Sequence, residues 1–170
     1  MNILKYFFTA IIFTTIFSCS EPLDAGKVTT EQIDLSPQNI ELSITAPKGA
    51  KLLKGAEEED MMLYKLYSCK VHAEDFKVEV MCFTMSDRSL NGVLTEKLAD
   101  IKNEDTLSKI VLQDSTGFIY ESNEINDEQS YGFCKIDVRD NFYVNIIPEP
   151  QSDGTISLEE AKYMYEILNK

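Results

Sequence analysis

Apolar positions recur along this chain with two distinct periods. Leu90, Val93, Leu94, Leu98 and Ile101 follow three- and four-residue spacing, which predicts one buried face of a helix. Ser86 or Asp87 is placed to cap it. Ser157-Leu158-Glu159-Glu160 has the form of a capping box, and Leu158, Ala161, Tyr165 and Leu168, with Met164 alongside, line a second helix running to the C-terminus. Elsewhere the alternation is that of strands. Residues 40–45 alternate apolar and polar before Pro47-Lys48-Gly49 ends the run. Residues 62–71 and 76–85 flank a turn at His72-Ala73-Glu74-Asp75 and predict a hairpin, with Phe76, Val78, Val80 and Cys82 on one face. Residues 110–113, 118–122, 131–138 and 142–147 predict four more strands. Pro148-Glu149-Pro150 stops the pairing, because proline donates no ladder bond.

The order is one strand, a hairpin, a helix, four strands and a final helix. Consecutive strands on short turns imply an antiparallel sheet of about six or seven strands. Two amphipathic helices cover it, giving an α+β domain. The element order, the opening strand ending in Ala46-Pro47-Lys48-Gly49 and the closing helix with Glu159-Glu160-Ala161 resemble the PsbP-like domains. The resemblance spans residues 39–170. It implies a central antiparallel sheet between helices and a non-catalytic scaffold, although a fold alone does not fix a function.

The first residues follow neither period. One lysine, Lys5, precedes an unbroken run of twelve residues, Tyr6 to Phe17, apolar apart from threonine. As a helix this run is about 18 Å long, against a hydrocarbon core of roughly 30 Å. That length suits a secretory signal better than a membrane span. The run closes on Ile16-Phe17-Ser18-Cys19, which resembles the lipobox of bacterial lipoproteins. The resemblance implies cleavage before Cys19 and lipidation of its thiol and new amine. Two or more acyl chains make a stable anchor. The expected organisation is a signal peptide at 1–18, lipidated Cys19 with a flexible tether to residue 38, and a single domain at 39–170. A flexible tether of that length reaches about 25 Å. Ser20, where an aspartate would suggest inner-membrane retention, leans the expectation towards the outer membrane.

Charge narrows the partners. The chain of 170 residues has 16 Lys and Arg against 29 Asp and Glu, a net charge of −13 that becomes −14 once Lys5 is removed. This balance argues against nucleic acid, which needs a basic footprint. The acid is uneven: between Asn103 and Glu128, seven acids face one base, Lys109. Glu104, Asp105, Glu121, Glu124, Asp127 and Glu128 are the candidate surface for a basic protein partner, since such fields steer association. The other reading of the same residues is simple solubility beside an anionic membrane. The run Glu57-Glu58-Glu59-Asp60 reads as a solvated loop without calcium-loop spacing.

Candidate chemistry is sparse. No catalytic residue, metal ligand set or cofactor site is assigned. The single histidine, His72, falls at a predicted turn, and no nucleophile elbow or phosphate loop is present. Cys69 and His72, three apart on a strand, face opposite ways and make a poor metal pair. Cys69, Cys82 and Cys134 are expected as small buried hydrophobes. With Ala73-Glu74 at the centre of the turn, Cys69 lies opposite Val78 and Cys82 opposite Lys65, roughly 13 Å away and beyond bridging. One disulfide from Cys134 to Cys69 or Cys82 stays open. Two functions fit: a membrane-anchored, non-catalytic accessory or protein-binding module of the bacterial envelope, and an immunity-type lipoprotein that neutralises a basic toxin in the periplasm.

Overall fold

The central strands bury side chains on both of their faces, and the architecture follows from covering both. The computed structural model describes residues 22–55, 59–61, 64–85, 88–103, 107–124, 128–149 and 154–170. Its strands are β1 (Thr30–Asp34), β2 (Ser43–Pro47), β3 (Lys51–Lys54), β4 (Glu59–Met61), β5 (Tyr64–Ala73), β6 (Phe76–Phe83), β7 (Leu107–Gln113), β8 (Gly117–Glu124), β9 (Glu128–Arg139) and β10 (Phe142–Pro148). The helices are α1 (Leu90–Asn103), between β6 and β7, and α2 (Leu158–Leu168), after β10. The main sheet runs β3-β5-β6-β10-β9-β8-β7, with β4 also paired to β5, and every pairing is antiparallel. Strands β1 and β2 form a separate ribbon. The fold is α+β, with an antiparallel sheet and two helices, as the periodicity predicts.

Successive residues of β9 show why two covers are needed. Phe133 is buried with Val80, Val144, Met164 and Ile167, on the face of α2. Its neighbour Cys134 is buried with Val93, Leu94, Phe118 and Tyr143, on the face of α1. Side chains alternate across a strand, so neither helix alone could close this core. Serine caps both helices. Ser89 Oγ accepts from Gly92 N at 3.1 Å at the start of α1, a role the sequence pattern gave to Ser86 or Asp87, which lie outside the described residues. Ser157 and Glu160 form the reciprocal box expected at α2, with bonds of 3.2 and 2.8 Å.

The hairpin register differs from expectation. Ala73 pairs with Phe76, so the turn is Glu74-Asp75, one residue later than the centre at Ala73-Glu74. Moving the centre by one residue moves every cross-strand pair by two. Cys69 faces Val80 and Cys82 faces Tyr67. His72 stands on β5, before the turn and not in it.

The larger correction concerns residues 22–38, expected as flexible tether. They belong to the fold. Leu35 is fully buried and Ala25 nearly so, and both join the cluster beneath α2. Strand β1 pairs with β2 from Thr30↔Pro47 to Asp34↔Ser43. Lys170 Nζ donates to the carbonyls of Ala25 and Val28, which ties the end of α2 to this segment. The domain therefore begins before residue 39 and includes residues of the 22–38 segment. Replacing Leu35 by alanine should cost about 2–5 kcal/mol in chemical denaturation, as for other buried leucines. A change near zero would restore the tether.

Candidate functional site

Pairing registers decide which charged residues share an end of the sheet. Val80 pairs with Ile146, Ile146 with Lys135, and Lys135 with Gly117. Counting four residues from each towards the β5–β6 turn gives Phe76 on β6, Tyr131 on β9 and Glu121 on β8. The β8–β9 tip, where Glu124 pairs with Glu128, extends three residues further at the same end. Glu121, Glu124 and Glu128 are thus gathered at one corner. Glu121 is half-buried; its Oε1 accepts from Gln129 Nε2 at 2.6 Å, and its register partner on β7 is Lys109. Glu104, Asp105 and Asp127 lie outside the described residues, as does Cys19. Glu74 and Asp75 occupy the neighbouring β5–β6 corner, with Lys48 and Lys51 beside them around an open groove of about 490 Å³ floored by Tyr163. A second open groove, about 570 Å³, lies at the other end between residues 41–43 and the β9–β10 turn.

Two ionic clusters escape a purely sequential reading. In the first, Lys70 Nζ and His72 Nε2 both contact the Glu149 carboxylate. Partial burial opposes ionisation of Glu149, but the bonds from Lys70 and His72 outweigh it and hold the carboxyl below its usual range. The Glu149 hydrogen bond in turn raises the Lys70 ammonium. In the second, Asp114 closes the β7–β8 turn by accepting from Thr116 N at 2.7 Å and Gly117 N at 3.0 Å. Its other oxygen accepts from Tyr165 of α2 at 2.9 Å. Lys135 lies over the Tyr165 ring at 5.7 Å, and desolvation lowers its pKa. Gly117 is required here: a Cβ would stand 2.2 Å from the Cys134 carbonyl and 2.8 Å from the Tyr165 hydroxyl. Both clusters fasten distant segments together, Glu149 joining the end of β10 to β5, and Asp114 joining α2 to the β7–β8 turn.

The three described cysteines are free and buried. Cys69 and Cys82 lie on the α2 face, two positions apart across the hairpin. Cys134 lies on the α1 face, where its thiol donates to Asn145 Oδ1 at 3.0 Å. The sheet itself separates Cys134 from the other two, so the bridge held open from the sequence does not form. Burial pushes the thiols up, to about 12 for Cys69, about 11 for Cys82 and about 12 for Cys134. Among the described residues no three His, Cys, Asp or Glu side chains converge as a metal site, and no helix is long and apolar enough to cross a membrane. No protein-family model, curated protein or solved structure matches the chain.

Two measurements follow from these environments. In a Cys19→Ser chain at pH 8, a thiol reagent should react far more slowly with folded than with unfolded protein. The unfolded, unreduced chain should release three thiols, and a count of one would mean a disulfide. Glu149 has a depressed folded-state pKa, so its contribution is present above about pH 4.3, the unfolded carboxylate value, and is lost as pH falls through the folded value. Glu149→Gln should therefore destabilise by about 1 kcal/mol at pH 7. The gap from the parent protein should narrow as pH approaches 3.

Proposed function

We propose that this chain is a non-catalytic lipoprotein of the bacterial envelope, anchored through Cys19, whose α+β domain serves as a binding or accessory module for a protein partner. The sequence Ile16-Phe17-Ser18-Cys19 behind a short apolar run supports the anchor. The strand ending in Ala46-Pro47, which lies in the separate ribbon, the antiparallel sheet with its two helices and the closing helix with Glu159-Glu160-Ala161 support a PsbP-like domain. The gathering of Glu121, Glu124 and Glu128 at one corner of the sheet is the observation that carries the binding role. These acids lie within one short hairpin, where β8 and β9 pair Glu124 with Glu128, and a concentration of acid in one place steers a basic partner. The outer membrane is the expected home, with the domain facing the periplasm or the cell surface.

Metabolic labelling with a fatty-acid precursor should mark the wild-type chain and leave Cys19→Ser unmarked. A photo-crosslinker at Glu121 should then capture a resident envelope protein, and charge reversal at Glu121, Glu124 and Glu128 should reduce capture several-fold. Capture of a secreted basic toxin instead would favour the immunity-type reading. Absence of lipid on Cys19 would end both.

A further inference from the structure

The short leash between the lipid and the fold sets which end of the domain meets the bilayer. Only Ser20 and Glu21 separate Cys19 from Pro22, the first described residue. Three peptide steps span at most about 10 Å, at 3.3–3.6 Å each. The position of Pro22 is fixed by its neighbour: Leu23 N donates to Glu159 Oε1 at 3.0 Å, in the first turn of α2. That turn is hooked to β9, because Ile156 N donates to Ser130 Oγ at 3.0 Å and Tyr131 N donates to Ile156 O at 2.8 Å. Tyr131 pairs with Glu121, just short of the β8–β9 tip. The leash therefore emerges at the end of the sheet that carries this tip.

Resting on the anchor proposed above, we infer that the lipidated domain stands on the bilayer by its β8–β9 tip and the N-terminal end of α2, with the β9–β10 turn pointing away. The opposite orientation is out of reach. Ten residues separate Gln129 from Arg139 along β9, roughly 33 Å of strand. A leash of about 10 Å cannot cross that length to set the β9–β10 turn on the headgroups. A flexible tether of 19 residues would have allowed any orientation, so the inference depends on residues 22–38 being folded.

The chain contains no tryptophan, so one introduced indole is an unambiguous fluorescence donor. Gln129 and Asn141 are both exposed, at opposite ends of β9. Full-length lipidated Gln129→Trp and Asn141→Trp proteins would be placed on vesicles of phosphatidylethanolamine and phosphatidylglycerol carrying a dansyl headgroup acceptor. Energy transfer should be several-fold greater from Gln129→Trp than from Asn141→Trp. Glu74→Trp, in the β5–β6 turn at the same end, serves if Gln129→Trp fails to fold. Equal transfer, meaning a domain lying flat, or the reverse order would overturn the orientation while leaving the anchor intact. Failure of both proteins to float with the vesicles, with unmodified Cys19 by mass, would overturn the anchor and the orientation with it.

Discussion

The middle of the sheet is apolar on both faces, and the rest of the molecule is arranged around that constraint. Along β8 and β9, Phe118 and Cys134 bury towards α1 while Ile119 and Phe133 bury towards α2. Each face must be removed from water at about 25 cal/mol per Å² of apolar surface, so each needs its own cover. Helix α1 supplies one with Val93 and Leu94. Helix α2 supplies part of the other, and the β1–β2 ribbon with Leu35, Ile40, Ile44 and Ala46 supplies the rest. This need explains why a segment as polar as residues 22–38 is ordered: it carries a few apolar side chains to a face that α2 leaves partly open.

Strong periodicity made most of the fold legible. Both helices, the β5–β6 hairpin and strands β8 to β10 follow from apolar spacing, and the Ser157–Glu160 box sits as its sequence spells it. Strand β1 was invisible because Thr30-Glu31-Gln32-Ile33-Asp34 offers one apolar residue and no alternation; its pairing is decided by β2, not by its own preference. Short β3 failed for a similar reason, since Lys51-Leu52-Leu53-Lys54 has no period. The cysteines show a subtler limit. Their burial could be read, but their separation hung on whether a turn centred one residue earlier or later, and their faces hung on strands that are neighbours in space alone.

The candidate site divides along the same line. A count along the chain is enough to find an acid-rich stretch, but its shape depends on registers that bring Glu124 opposite Glu128 and set Glu121 level with Tyr131. Lys70, His72 and Glu149 gave no sequence signal as a group, because β10 reaches β6 only after α1 and three further strands intervene. Their contact is a product of non-local pairing, and no local rule anticipates it.

Charge placement then acquires a physical reading. Strands buried on both faces favour charged residues at the turns, the edges and the ends, and the few inside, such as Lys70 and Lys135, take specific partners. Accumulation of one sign does not follow from this. Near the β9–β10 turn, Arg139 pairs with Asp137 at 2.8 Å, and at the start of α1 Arg88 pairs with Glu96. At the β8–β9 corner Glu121 takes a neutral amide instead, and Lys109 is the one base among seven acids from Asn103 to Glu128. An excess of one sign along the chain costs folding free energy through self-repulsion. It is tolerable on a fold stapled by Glu149, Asp114 and a core on both sides of the sheet. If the leash sets that corner at the headgroups, a partner with basic residues at the membrane surface would meet the acid there, and the field would steer that encounter.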